Sequence, residues 1–243
     1  MRRQKSVDGD ELQWSLRVSR RARYARLRIM PFGGLEVVIP HRFPRNQVAG
    51  LVAQHADWVR AQLARQAQLR NAVQLPSALS LAFDNSLTPI HYSGATQPSQ
   101  GDLFGARDGE AIEIQALDQR AIIVELRQWI RRRARQLLPP LLARVSRQTG
   151  LSYQRVSIRS QKSRWGSCSS RGNISLNDQL LFLPAATVEY LMIHELCHTR
   201  HLNHSRAFWE LVDSHCPGYR EHEKLLSQPR GLVPDWFLLG LYS

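Results

Sequence analysis

The chain of 243 residues has little with which to build a disulfide framework. Its three cysteines, Cys168, Cys197 and Cys216, are odd in number and form no C-x-x-C pair. That usage fits a reducing compartment, and the cytoplasm is the expected location. Long apolar runs are missing too. No stretch approaches the roughly 18 consecutive apolar residues of a transmembrane helix. After the basic start, Met1 to Lys5, the acidic residues Asp8, Asp10 and Glu11 stand where a signal peptide needs its apolar segment. Neither secretion nor membrane insertion is expected. Acidic residues are scarce, 20 against 33 Lys and Arg, for a formal net charge of +13. The sequence also lacks an internal repeat, a coiled-coil heptad run, a helix-turn-helix, a zinc finger and an aromatic-rich nucleic-acid motif. These absences exclude solenoids and speak against sequence-specific nucleic-acid recognition.

What is present is enough apolar residue, 43%, for a sizeable core in one domain or two small ones. Alternation of Leu12, Trp14, Leu16 and Val18, then of Leu27 and Ile29, predicts strands over 12–18, 24–30 and 35–39, with a hairpin turn at Gly33 and Gly34. An antiparallel sheet is expected to open the chain. Pro44 then starts an amphipathic pattern through Val48, Leu51, Val52, His55, Val59 and Leu63, read as one helix to about Arg70 with His55 packed in the core. Between 71 and 109 the composition turns to Ser, Pro, Gly, Asn and Gln, with strand-like pieces near Leu79–Phe83 and Ile90–Tyr92. Residues 111–117 alternate like another strand. A long helical pattern begins at Gln119, is expected to kink or restart at Pro139 and Pro140, and stops at Gly150. Arg155–Ser160 reads as a strand. The expected architecture is α+β: residues 1–118, an N-terminal antiparallel β-sheet with one long helix, followed by a second unit over 119–243.

The most informative stretch is His194, Glu195, Leu196, Cys197 and His198, an H-E-x-x-H pattern. The preceding run from Pro184 holds Val188, Leu191 and Met192 at helical spacing and contains no breaker, so the motif is expected on a helix. Residues i and i+4 then share a face, and both imidazoles can point at one metal ion. Glu195 lies about 100° round the helix, beside the ion, where a carboxylate can take a proton from metal-activated water. A catalytic zinc usually has a third protein ligand. His201 lies seven residues, roughly 10 Å along the axis, beyond His194, too far to converge with both other rings. His204 can ligate only if the chain turns between about Thr199 and Asn203, and Asn203 tolerates the left-handed conformation such a turn would use. Ser205 could cap the next helix, with Phe208, Trp209, Leu211 and Val212 as its apolar stripe. A glutamate from a later helix, Glu221 or Glu223, is the competing third ligand.

Arg164 to Cys168, His194 to His198, the Asn203-His204-Ser205 stretch and Phe208-Trp209 together resemble the YgjP-like metallopeptidase family, a relative of the SprT-like zinc proteases. The likeness spans most of the chain. It implies a zincin-like metallopeptidase unit over 119–243, Zn2+ held by His194, His198 and His204, and Glu195 as catalytic base. The glycine that metzincins carry three residues after the second histidine is replaced by His201, which argues against a metzincin proper. The expected function is therefore a zinc metallopeptidase acting on a peptide or protein substrate. A non-enzymatic, zinc-organised module that binds nucleic acid or a partner protein is the alternative. Glu195 argues against it, since a structural site needs no base and normally has four protein ligands. Hydrolysis of another amide is a further rival. The segment Asn173–Asn177 alternates polar and apolar residues; as an exposed edge strand it could hold an extended peptide, and as an interior strand it would be plain scaffold. Lys162, Arg164 and Trp165 precede it in a loop that either reaches the substrate or braces the cleft.

Charge is the second informative quantity. Arg20, Arg21, Arg23, Arg26 and Arg28 form one dense cluster, and Arg127, Arg131, Arg132, Arg133 and Arg135 form another on the long helix. A solvated face accounts for such runs as a rule. Non-specific DNA binding through the basic surface is the partner they would serve, and the SprT-like resemblance, whose members include proteases acting on DNA-attached proteins, points the same way.

Overall fold

The computed structural model describes residues 4–5, 12–30, 32–93, 111–116, 118–228 and 231–239. It is a mixed α+β chain with three small sheets among those residues. Two compact units emerge, Met1–Gln74 with Leu238–Ser243, and Leu75–Phe237.

In the first unit, strands β1 (Gln4–Lys5), β2 (Trp14–Ser19), β3 (Arg26–Ile29) and β4 (Leu35–Pro40) form a sheet in the order β1-β2-β4-β3. β3 and β4 are the expected antiparallel hairpin, turning through Gly33 and Gly34, both at φ 92°, a conformation that glycine adopts without steric cost. The expectation of a purely antiparallel sheet fails at β2, which pairs with β4 in parallel, Trp14 against Leu35 through Ser19 against Pro40. The reason is topological. Because β3 occupies one edge of β4, the connection from β2 to β3 passes over the end of β4, and β2 must then run with β4 on its other edge. Trp14, Leu35, Val37, Ile39, Val48, Val52 and Val59 form the core beneath.

The single helix expected from Pro44 is instead a 3-10 turn at Arg45–Gln47, α1 (Val48–Gln54) and α2 (Ala56–Ala72). His55 is the break, at φ −111° and ψ 18°, and its Nδ1 pairs with Leu51 O at 3.0 Å. It is exposed, not packed in the core as its place on the apolar stripe suggested. The helical break rotates it out of that stripe.

In the second unit β5 (Ala78–Leu81), β6 (Ser86–Tyr92) and β7 (Ile112–Ile114) make one sheet, β6 central. Residues 94–110 of the expected loop region lie outside the described residues. Phe83 N–H donates to Leu181 O, which ties this sheet into the later part of the chain. The compact units accordingly divide at 74/75, whereas the boundary expected at 118/119 marks the start of α3 (Gln119–Thr149). Asp118 caps α3 by accepting from Ala121 N–H, and Gly150 at φ 69° ends it. Pro139 and Pro140 lie inside this 31-residue helix and do not restart it. The carbonyls they leave without helical donors belong to Arg135 and Gln136, both exposed, where solvent can reach them, while Leu138, Leu141 and Leu142 keep the buried stripe unbroken.

β8 (Arg155–Arg159), β9 (Gly166–Cys168) and β10 (Asn173–Asn177) form a sheet in the order β8-β10-β9. β10 is parallel to β8 and antiparallel to β9, so Asn173–Asn177 is an interior strand and β9 is an edge. α4 (Ala185–Cys197), α5 (Arg206–His215) and α6 (Tyr219–Ser227) complete the unit that carries the site. No helix among the described residues is long and apolar enough to cross a membrane.

Candidate metal centre

α4 is held by its apolar side: Val188, Leu191, Met192, Ile193 and Leu196 are buried, and the spacing that packs them turns His194 and His198 to a shared opposite edge. The helix then unwinds. Thr199 N–H and Arg200 N–H donate three residues back, to Leu196 O and Cys197 O, so the last turn tightens into 3-10 geometry. The chain reverses without a left-handed Asn203, since Asn85 is the sole non-glycine at positive φ among the described residues. Ser205 caps α5 by accepting from Phe208 N–H at 3.4 Å, as its position suggests. His204 falls between the two helices.

The three imidazoles converge. One nitrogen from each of His194, His198 and His204 lies within 4.8 Å of the others. His194 Nε2 faces His204 Nε2 at 3.1 Å, slightly under the roughly 3.3 Å that two metal–nitrogen bonds of about 2.0–2.1 Å span at a tetrahedral angle. His198 Nδ1 pairs with His201 O at 2.9 Å, which fixes the ring and leaves Nε2 for the centre. His201 therefore contributes its backbone carbonyl and not its ring. Phe208 stacks on His198 at 4.5 Å and Trp209 on His204 at 5.5 Å, so the apolar stripe of α5 orients two of the rings. Burial, then the neighbouring His198 and His204, pushes His194 down to about 3; burial also lowers His198. Rings kept neutral have lone pairs to offer, which is what a divalent ion requires. The donor set fits a metal.

Glu195 is 5% exposed, and its Oε2 has no hydrogen-bond partner among the described residues. An orphaned buried carboxylate oxygen is costly unless a ligand or a proton meets it. Burial pushes the carboxyl up to about 8, with the Arg164 guanidinium opposing. Its other oxygen packs on Gly166, where a Cβ would stand 2.6 Å from Oε1 and 2.9 Å from Cγ. Glycine is required there by close approach. Glu195, His194 and Gly166 share a cavity of about 290 Å3 with Arg164 and Glu223. Glu221 and Glu223 are not part of the histidine cluster. His222 stacks on Tyr190 at 5.6 Å and pairs with Thr187 Oγ1, a packing role.

Several supporting residues were not evident from the sequence. Asn177, 2% exposed, donates through Nδ2 to Gln161 O and Arg164 O, and its N–H to Trp165 O. Gln179 Nε2 donates to Gln161 O as well. These bonds clamp the loop that carries Arg164 to the site. Trp165 Nε1 donates to Leu226 O, so that indole braces the loop against α6. Polar residues at the end of an alternating strand were the available signal, but alternation alone does not say what an interior amide binds.

A model of the YgjP-like metallopeptidase domain matches residues 23–229. Among solved structures, abylysin, a metallopeptidase zymogen of Pyrococcus abyssi, is similar at 28% identity over 39% of this chain and 95% of that one, with a TM-score of 0.36. No curated protein matches the chain. A metallopeptidase domain works with a metal cofactor on protein or peptide substrates, and the histidine cluster lies inside the matched span. With more than four-fifths of its length covered by that model, the chain belongs to the YgjP-like metallopeptidase family.

Proposed function

We propose that the protein is a zinc-dependent peptidase in which His194, His198 and His204 hold the ion and Glu195 is the general base. One observation carries the reading: Glu195, with a buried carboxylate oxygen that has no partner among the described residues, lines one cavity with His194, whose ring converges with those of His198 and His204. A structural zinc site would have four protein ligands and no such carboxylate, and no fourth His, Cys, Asp or Glu joins the cluster among the described residues. That difference is what disfavours the non-enzymatic binding module.

Bound zinc would supply Lewis-acid polarisation of the scissile carbonyl and acidify the attacking water. The rest falls to the chain. Glu195 Oε2 accepts a proton from that water as its oxygen bonds to the carbonyl carbon, and returns the proton to the amine nitrogen as the carbon–nitrogen bond breaks. Gly166 fixes where the carboxylate can sit, and the Arg164 charge favours its ionised, proton-accepting form. Among the described residues β9 pairs with β10 alone, so its other edge can pair with an extended substrate beside Glu195. The interior strand β10 cannot do this.

The ligand set is tested by metal analysis of the purified protein and of single variants. Wild type should carry about one zinc per chain, and His204→Ala should lose it under dialysis, whereas His201→Ala, Glu221→Ala and Glu223→Ala keep it. Zinc retained in His204→Ala and lost in either glutamate variant would reassign the third ligand.

A further inference from the structure

Charge is unevenly divided between the two units. Residues 1–74 hold fourteen Lys and Arg against five Asp and Glu, a net of +9 out of +13 for the whole chain. Within that unit the sheet gathers it. Ser19 pairs with Pro40 and Arg26 with Val38, so the end of β2, the connection from β2 to β3, the start of β3 and the end of β4 all lie at one end of the sheet. Arg20, Arg21, Arg23 and Arg26 are brought there from one stretch, and Arg42 from another. All five are exposed. Parallel pairing of β2 with β4 sets the ends of these two strands side by side, with no strand between them.

No carboxylate balances this end among the described residues. Glu36 is the second residue of β4, toward the other end of the sheet, buried between Arg17 and Arg28 at 3.5 Å from each, and Asp57 is on α2 with Arg60. Tyr24 stands among the arginines in sequence and is 74% exposed.

We infer that this end of the N-terminal sheet, Arg20, Arg21, Arg23, Arg26 and Arg42 around Tyr24, is a docking surface for single-stranded nucleic acid, bound through phosphates and one stacked base without regard to sequence. Arginine dominates the patch, and its planar fork matches phosphate oxygens in a way lysine does not. An exposed aromatic ring between the cations offers a face on which any base can stack, a contact that duplex and acidic polypeptide cannot use. The metal-centre residues all belong to the other unit.

The test is fluorescence anisotropy of a labelled oligothymidylate with the full-length protein between about 50 and 200 mM salt, with the matching duplex and poly-glutamate as competitors. Wild type should bind with affinity that falls steeply with salt. Arg20→Gln/Arg21→Gln/Arg23→Gln should weaken binding about tenfold or more and flatten the log–log salt slope by about 2, the share of three phosphate contacts on a single strand. Tyr24→Ala should weaken the single strand about fivefold and leave the duplex unchanged. Arg132→Gln/Arg135→Gln on α3 should change neither. Absence of binding at the lowest salt overturns the inference. So do an unaltered triple variant and an equal loss in the α3 variant. Competition by poly-glutamate equal to that of the oligonucleotide would make the surface an acidic-polypeptide site, and a Tyr24→Ala effect shared by the duplex would remove the single-strand assignment.

Discussion

Arg127 and Arg131 on α3 and Arg20, Arg21 and Arg23 before β3 come from clusters of similar density in sequence, yet the fold treats them oppositely. Arg127 lies over the Phe237 ring at 5.2 Å, and burial lowers its pKa while the charge of Asp178 opposes that. Arg131 Nε is buried without a hydrogen-bond partner among the described residues, and Arg133 pairs with Asp84 at 3.2 Å. Asp178 is fully buried, accepts from the Ser160 hydroxyl, and has its carboxyl held up by burial against the pull of those arginines. Of the six buried polar or charged residues among those described, five belong to the second unit, Glu195 among them. That unit encloses polar groups around a reaction site; the first presents charge to solvent. Density of charge along a chain does not distinguish the two cases, because what decides is whether an acidic or aromatic partner from a distant element meets it.

The comparison breaks most visibly at Gly166. It is not at positive φ, so alanine there is a steric probe and not a backbone one. Gly166→Ala puts a methyl group 2.6 Å from the carboxylate Oε1 and 2.9 Å from Cγ, so the whole end of the Glu195 side chain must shift. A displacement of about 1 Å in a catalytic group costs on the order of a hundredfold in rate, and hydrolysis should fall by about that much while the zinc content stays unchanged. Unaltered turnover would mean that the position of Glu195 is not set by β9.

Next in size is the pH dependence of metal-free protein. The Glu195 carboxyl titrates near 4.5 unfolded and about 8 folded, so its contribution is fully present below about 4.5 and lost as pH rises through 8. His194 acts in reverse: its contribution is present above 6.5 and lost as pH falls toward about 3. Glu195→Gln removes only the first. Chelated wild type and Glu195→Gln should melt alike at pH 5, and the variant should be the more stable at pH 9, by on the order of a few kcal/mol. Equal melting at pH 9 would show that the carboxylate finds a partner.

The smallest effects set the two arginine clusters side by side. Asp178→Asn withdraws the charge that faces Arg127 and Arg131 and should lower stability by about 1–3 kcal/mol in urea unfolding. Arg20→Gln/Arg21→Gln/Arg23→Gln should stay within about 0.5 kcal/mol of wild type. A large loss in the triple variant would mean that the exposed cluster holds the fold together.

Much of the second unit was legible in the sequence. The H-E-x-x-H helix, the Ser205 cap and the place of His204 between helices follow from local rules, since i, i+4 spacing and capping involve neighbours within a turn. The parallel pairing of β2 with β4, the interior place of β10 and the fate of the α3 arginines did not follow, because each depends on elements far apart in the chain. Two readings failed for a nearer reason. His55 sat on an apolar stripe but broke the helix, and Pro139 with Pro140 sat in a helix but did not, because packing of Leu138, Leu141 and Leu142 outweighed two lost bonds on the wet side.

The central claim, that Glu195 is the base of a zinc peptidase, is tested most directly by measuring zinc content and hydrolysis of an unfolded protein substrate together in wild type and Glu195→Gln. The account predicts about one zinc per chain in both, and a loss of at least about a hundredfold in hydrolysis in the variant. Full activity in Glu195→Gln, or a wild-type protein that retains no transition metal, would contradict it.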